Sequence, residues 1–146
     1  MKLFLDTNVI IDVIASREPF VEDSRKVLSL CEQGKAEGVM SAITLCTISY
    51  VLRKYAAPGT LRRQIRDLRN LLPPVDLTTP LLDRAISSTI ADFEDAVQFY
   101  SAVYCDADCI ITRNAKDFPQ DSIPVLSPAA FLNLKELSPG NAETSK

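Results

Sequence analysis

Short apolar runs alternate with stretches of helical spacing along most of the chain. Leu3-Phe4-Leu5 is a buried strand candidate that stops at Asp6, and Val9-Ile10-Ile11 with Val13-Ile14 follows at helical spacing, so strand and helix meet at Asp6-Thr7-Asn8. Ser16-Arg17-Glu18-Pro19 breaks that helix. Val27, Leu28, Leu30 and Cys31 space a second, amphipathic helix that ends near Gly34, before a strand at about Gly38 to Ser41. Ile43, Leu45, Ile48, Val51 and Leu52 predict a helix from about Thr44 to Tyr55, stopped by Pro58-Gly59. Leu61, Ile65, Leu68 and Leu71 predict the next, up to Pro73-Pro74. Val75-Asp76-Leu77 reads as a third strand, Leu81-Leu82 with Ala85-Ile86 as a helix, and Phe93 with Ala96-Val97 and Tyr100 as another. Asp108 to Thr112 reads as a fourth strand and Pro124-Val125-Leu126 as a fifth.

Short strands separated by helices imply a parallel sheet, because parallel neighbours need crossover connections. The expected fold is therefore α/β, three layers in α/β/α order around a central parallel sheet of four to five strands. One domain is expected over residues 1–135. Residues 136–146 are expected to form a flexible tail, since Ser138-Pro139-Gly140-Asn141-Ala142-Glu143-Thr144-Ser145-Lys146 lacks apolar anchors.

Composition narrows the chemistry more than it narrows the fold. The 146 residues are 47% hydrophobic and 24% charged, an ordinary globular balance for one compact domain. Asp6 and Asp12 interrupt the opening apolar stretch, which therefore fails as a signal peptide or membrane span, and the expectation is a cytoplasmic protein with no membrane partner. Cys31, Cys46, Cys105 and Cys109 form no Cys-x-x-Cys pair and are expected to be buried, reduced thiols. The chain contains no histidine, which removes the commonest general base and every Ser-His or Cys-His nucleophile. Carboxylates must carry any acid–base or metal chemistry. A net charge of −3 offers no bulk attraction to nucleic acid, so RNA binding would need a local patch. Arg62, Arg66 and Arg69, spaced to share a helix face with Arg63 beside them, are the candidate; a solvated helix face is the plainer account.

Asp6 at a strand-to-helix junction is either an N-cap or a carboxylate at the ligand-binding edge of a parallel sheet. Asp92 and Asp95 lie three apart at a helix start, where carboxylates also complement the helix dipole, but the following Ala96-Val97 turns Asp95 inward. Thr112, Asn114 and Asp117 follow an apolar strand and suit either a hydrogen-bonded turn or a site. Acids converging on one sheet edge repel one another unless a cation holds them.

In Phe4-Leu5-Asp6-Thr7-Asn8, Ser41-Ala42-Ile43-Thr44, Asp92-Phe93-Glu94-Asp95-Ala96, Ile110-Ile111-Thr112-Arg113-Asn114 and Lys116-Asp117-Phe118 the chain resembles the PIN-domain family, which includes VapC-like and PilT N-terminus-like ribonucleases. Order and spacing of these motifs carry the resemblance over residues 1 to about 135. It implies that Asp6 and Asp95 are the catalytic, metal-binding acids, supported by Thr7, Asn8 and Thr112. The family's Glu on the helix after the Ser-x-x-Thr segment falls at Thr47, and its last acid falls at Asn114, which offers a carbonyl oxygen without charge. Asp92 and Asp117 are the candidates to compensate.

The resemblance further implies Mg²⁺ or Mn²⁺ as cofactor, RNA as substrate, cleavage that leaves a 5′-phosphate and a 3′-hydroxyl, a protein antitoxin as partner, and a homodimer. Two rivals stand beside it. One is a PIN-like module weakened in catalysis that binds RNA or protein, motivated by Thr47 and Asn114. The other is a phosphohydrolase using Asp6 as nucleophile, which would need an acid where this chain has Asn8.

Overall fold

The computed structural model describes residues 1–136. Five strands, β1 (Lys2–Leu5), β2 (Glu37–Ser41), β3 (Pro74–Val75), β4 (Cys109–Ile111) and β5 (Val125–Leu126), pair in the order β3-β2-β1-β4-β5, all parallel. Seven helices accompany them among the described residues: α1 (Thr7–Ile14), α2 (Val21–Glu32), α3 (Ala42–Leu52), α4 (Pro58–Leu71), α5 (Thr79–Ser87), α6 (Phe93–Tyr104) and α7 (Pro128–Glu136). This is the expected α/β/α arrangement around a parallel sheet.

Alternation along β1 explains the layering. Leu3 and Leu5 face one side of the sheet and pack with Val9, Ile10, Val27, Met40, Ile48 and Phe131, whereas Phe4 faces the other side with Val39, Phe99, Ala102 and Ile110. Both faces are covered, which is why strands of this sheet read as continuous apolar runs. A smaller cluster of Leu81, Ala85, Ala96 and Val97 joins α5 to α6.

Short polar side chains start several helices. Asp6, Ser41, Thr78 and Asp92 each accept a backbone N–H from the first turn of α1, α3, α5 and α6 respectively. Gly34, at φ 71°, follows α2 in the left-handed conformation that lets the chain turn toward β2. Gly38 is required for a different reason: a Cβ there would lie 2.5 Å from Leu72 Cδ2 and 2.7 Å from Cys31 Sγ.

Several boundaries differ from the sequence reading. Pro58 does not stop a helix but opens α4 at a position where its missing N–H costs nothing, and α3 ends at Leu52 rather than Tyr55. The third strand is two residues long, Pro74–Val75 rather than Val75 to Leu77, and pairs at the sheet edge with Met40 and Ser41. α7 was not foreseen; it extends through Glu136, and the rest of the expected tail lies outside the described residues. Cys46 is exposed on α3 and Cys31 and Cys105 are half-buried, so of the four free thiols Cys109 alone is buried as expected. Among the described residues no helix is long and apolar enough to cross a membrane.

Candidate functional site

The chain leaves β1 toward β2 and leaves β4 toward β5, in opposite directions along the sheet. The crevice at such a reversal, outside the carboxyl ends of the strands, is where open α/β sheets hold ligands. Asp6 follows β1 and Thr112 follows β4, and the two backbones are still joined there by Asp6 N–H donating to the Ile111 carbonyl at 2.9 Å.

Asp6 is 6% exposed and its carboxylate is met by four donors. Oδ1 accepts from Thr7 N at 2.8 Å and from Gln98 Nε2 at 2.9 Å; Oδ2 accepts from Thr112 Oγ1 at 2.7 Å and, at the long distance of 3.5 Å, from Asn8 Nδ2. Capping and placement at the sheet edge, alternatives in the sequence, are therefore both true of this residue. Thr7 Oγ1 lies 2.8 Å from Thr44 Oγ1, and Ser41, the cap of α3, fixes Thr44 through its N–H at 3.1 Å. Asn8 Nδ2 also reaches Thr112 Oγ1 at 3.4 Å, and its Oδ1 accepts from Arg113 N at 3.2 Å.

Gln98 and Thr44 were missed as site residues. Gln98 is 1% exposed, and its amide nitrogen also reaches Thr44 Oγ1 at 3.0 Å and Thr7 Oγ1 at 3.3 Å, while its Oε1 is buried without a partner among the described residues. The available signal was a polar residue inside the apolar run Ala96-Val97-Gln98-Phe99, one helical turn beyond Asp95.

Asp95 lies in the first turn of α6, half-buried, and its carboxylate has neither hydrogen bond nor ion pair among the described residues. Burial, then repulsion from Asp92, Asp6, Asp117 and Glu94, pushes its pKa from 3.8 to about 6. Asp95 thus feels acids from three separate parts of the chain. Asp92 is exposed and caps α6, its Oδ1 accepting from Asp95 N at 3.0 Å. Asn114 is exposed, its side chain without a partner among the described residues, while its N–H donates to Thr112 Oγ1 at 3.1 Å. Asp117 is exposed in a short 3₁₀ turn, Ala115–Asp117.

Thr47 follows Thr44 by one turn of α3, half-buried, and bonds to none of these groups. Arg62, Arg66 and Arg69 are exposed on α4, whose Leu61, Ile65 and Leu68 pack inward; none of the three arginines pairs with a residue of the carboxylate edge.

The donors at this edge are hard carboxylate, hydroxyl and amide oxygens, the set that suits a hard divalent cation and not zinc. Among the described residues no three acidic or thiol side chains converge tightly enough to hold an ion by themselves. Two carboxylates suffice for Mg²⁺ when waters and substrate oxygens fill the other positions, so the residues present fit an ion completed by substrate rather than a closed cage.

A family model for the PIN domain matches residues 2–116, and the chain belongs to that family. No curated protein sequence matches it. Among solved structures it is similar to a toxin-antitoxin complex from Klebsiella pneumoniae, at 21% identity and TM-score 0.67, over 86% of this chain and 97% of that one. VapBC-1 from nontypeable Haemophilus influenzae is 19% identical with TM-score 0.64, over 88% of this chain and 99% of that one. FitAcB from Neisseria gonorrhoeae is 18% identical with TM-score 0.61, over 87% and 98%. At these identities the likeness is one of fold.

Proposed function

We propose that the protein is a metal-dependent endoribonuclease and the toxin of a toxin–antitoxin pair. The observation that carries this reading is that Asp95, on α6, feels the charge of Asp6 at the reversal point of a PIN-family sheet: burial first, then repulsion from Asp92, Asp6, Asp117 and Glu94, raises its pKa to about 6. Asp6 and Asp95 would hold Mg²⁺ or Mn²⁺, with Asp92, Asn114 and Asp117 around them. When bound, such an ion supplies positive charge that lowers the pKa of a water and offsets charge on the phosphate. The four donors on Asp6 fix the direction of its carboxylate, and Thr44, Thr7 and Gln98 hold α3, α1 and α6 together behind it. Metal chemistry suits a chain without histidine, since it needs no imidazole base.

Arg62, Arg66 and Arg69 supply a candidate stripe for the RNA backbone, which would make binding strongly salt-dependent. The antitoxin partner rests on the neighbours, which are toxin–antitoxin complexes. An apolar groove lined by Ile14, Ile48, Leu52 and Tyr55, with Ile14 and Tyr55 exposed, is the surface on which we place it. A homodimer is proposed on the resemblance and is read by light scattering. Residues 1–135 are taken as one domain.

The test uses labelled single-stranded RNA with Mg²⁺ or Mn²⁺, with and without EDTA, on wild type and Asp6→Asn. Cleavage that stops in EDTA and in the variant supports the reading; cleavage indifferent to both sinks it. One observation favours a second reading, a weakened PIN-family module that binds RNA or protein: among the described residues no third acid comes close enough to hold an ion with the pair, Thr47 and Asn114 standing where the resemblance puts acids. RNA retention without cleavage at any Mn²⁺ concentration would decide for it.

A further inference from the structure

Asp12 is a buried acid that the nuclease reading leaves without a task. It is 0% exposed, and among the described residues its carboxylate meets no donor besides Arg113. Its close partner is Arg113, whose Nε lies 2.7 Å from Oδ2 as an ion-pair contact. Loss of water raises the Asp12 pKa, and Arg113 first, then Arg17, pull it back down. The Arg113 guanidinium also lies 4.2 Å from the centre of the Phe20 ring, so it is held between a carboxylate and an aromatic face. A leucine at position 12 would fill this space without the desolvation cost of an ion pair, so pairing here is poorly explained by stability.

What the pair holds is more specific. Arg113 stands between Thr112 and Asn114 in the segment after β4. Its backbone N–H donates to Asn8 Oδ1, while Asn8 Nδ2 and Thr112 Oγ1 are the two donors on Oδ2 of Asp6. Asp12 lies on α1 one turn after Asn8. The ion pair therefore clamps the segment after β4 onto α1 directly beside the side chains that aim the Asp6 carboxylate.

We propose that Asp12 and Arg113 are positioning residues for Asp6, a buried clamp that holds in place the Asn8 and Thr112 donors on Oδ2 and so fixes the carboxylate that would bind a divalent cation. The proposal rests on the metal-nuclease reading above. Neither residue touches the substrate or the ion; both act through Asn8 and Thr112.

The experiment compares wild type, Asp12→Leu, Arg113→Met, Asp12→Leu/Arg113→Met and Arg113→Lys. Melting, Mn²⁺ titration by electron paramagnetic resonance, kcat and KM on RNA, and hydrogen exchange at the Arg113 amide are read for each. Asp12→Leu alone leaves Arg113 unpaired and lowers the melting temperature, whereas the double variant recovers it, since an apolar pair replaces an ionic one. The clamp predicts that the recovered double variant still binds Mn²⁺ about 10-fold or more weakly, the usual effect of losing a partner that orients a ligand. Its kcat falls with KM little changed, and the Arg113 amide exchanges faster. A double variant that melts, binds Mn²⁺ and exchanges like wild type overturns the proposal. If it fails to fold, Arg113→Lys decides: the charge is kept but the planar fork is lost, so weakened Mn²⁺ binding supports the clamp and unchanged binding overturns it. Wild type that binds no Mn²⁺ sinks the nuclease reading itself and the cation clause with it. A slow Arg113 amide alongside that result would leave the failure with the reading, not with the clamp geometry.

Discussion

Gln98 donates to Asp6 across 2.9 Å, and in doing so ties the helix that carries Asp95 to the end of the strand that carries Asp6. Helix α6 places Asp95 one turn before Gln98, so this single amide helps set the separation of the two acids.

Gln98→Leu keeps the volume but removes a donor to a charged group, and is expected to destabilise the fold by about 1–3 kcal/mol. Cleavage should fall further than stability accounts for, because Asp6 Oδ1 keeps only the Thr7 N–H. Chemical denaturation alongside RNA cleavage checks this. Full activity in a destabilised variant would reduce Gln98 to a packing residue.

Asp95 gives the metal-free protein a definite pH response. Its folded pKa, about 6, lies above the unfolded value of 3.8, so the stability it contributes is fully present below pH 3.8 and lost as pH rises through about 6. Without metal, this group makes the protein less stable at pH 7 than at pH 5, and Asp95→Asn should flatten that part of the profile while abolishing cleavage. Mn²⁺ affinity should rise through the same window as the carboxylate ionises. Melting curves at pH 4, 5, 6 and 7 with and without Mn²⁺ separate the two effects; a variant that is less stable at every pH would recast Asp95 as a structural residue.

Thr47→Glu and Asn114→Asp each add a carboxylate at a position where the family resemblance expects one. Both residues reach solvent, so the added charge can be hydrated and the fold should tolerate it. Tighter Mn²⁺ binding by calorimetry is expected for both, larger for Thr47→Glu, with faster cleavage. Unchanged affinity in Thr47→Glu would show that this turn of α3 faces away from the ion.

Gly38→Ala tests the packing of β2 against α2. The added methyl would overlap the buried Leu72 side chain and the Cys31 sulfur, and overpacking of this kind costs about 1–3 kcal/mol. Thermal melting is the readout, and a variant as stable as wild type would mean that Cys31 or Leu72 moves aside freely.

Local pattern carried much of this fold. Leu3 to Leu5 is a continuous apolar run and the segment from Phe93 has helical spacing, and the structure places a strand and a helix there. Pro58 was misread because proline both ends helices and begins them, and the difference depends on backbone geometry upstream that sequence does not display. α7 was not legible because, apart from Phe131, it presents little deeply buried apolar surface. In the candidate site, Asp6 and Asp95 were legible as acids at element boundaries. Gln98 and Asp12 were not, because what gives each its meaning is a partner far away in the chain: Asp6 for one, Arg113 for the other. An acid in an apolar helix face looks like a break in the pattern until its partner is located.

The sheet order has a consequence for the chain during its synthesis. β4 pairs directly with β1, and the hydroxyl that bonds Asp6 comes from a residue 106 positions later. A growing chain that has reached α5 holds Asp6, Thr44 and the first three strands but neither Gln98 nor Thr112. Until α6 and β4 have emerged and docked, the Asp6 carboxylate has only its local donors, Thr7 N–H and Asn8 Nδ2. The site is thus among the last parts of the fold to be completed, because the two long-range donors on Asp6 come from α6 and from the residue that follows β4.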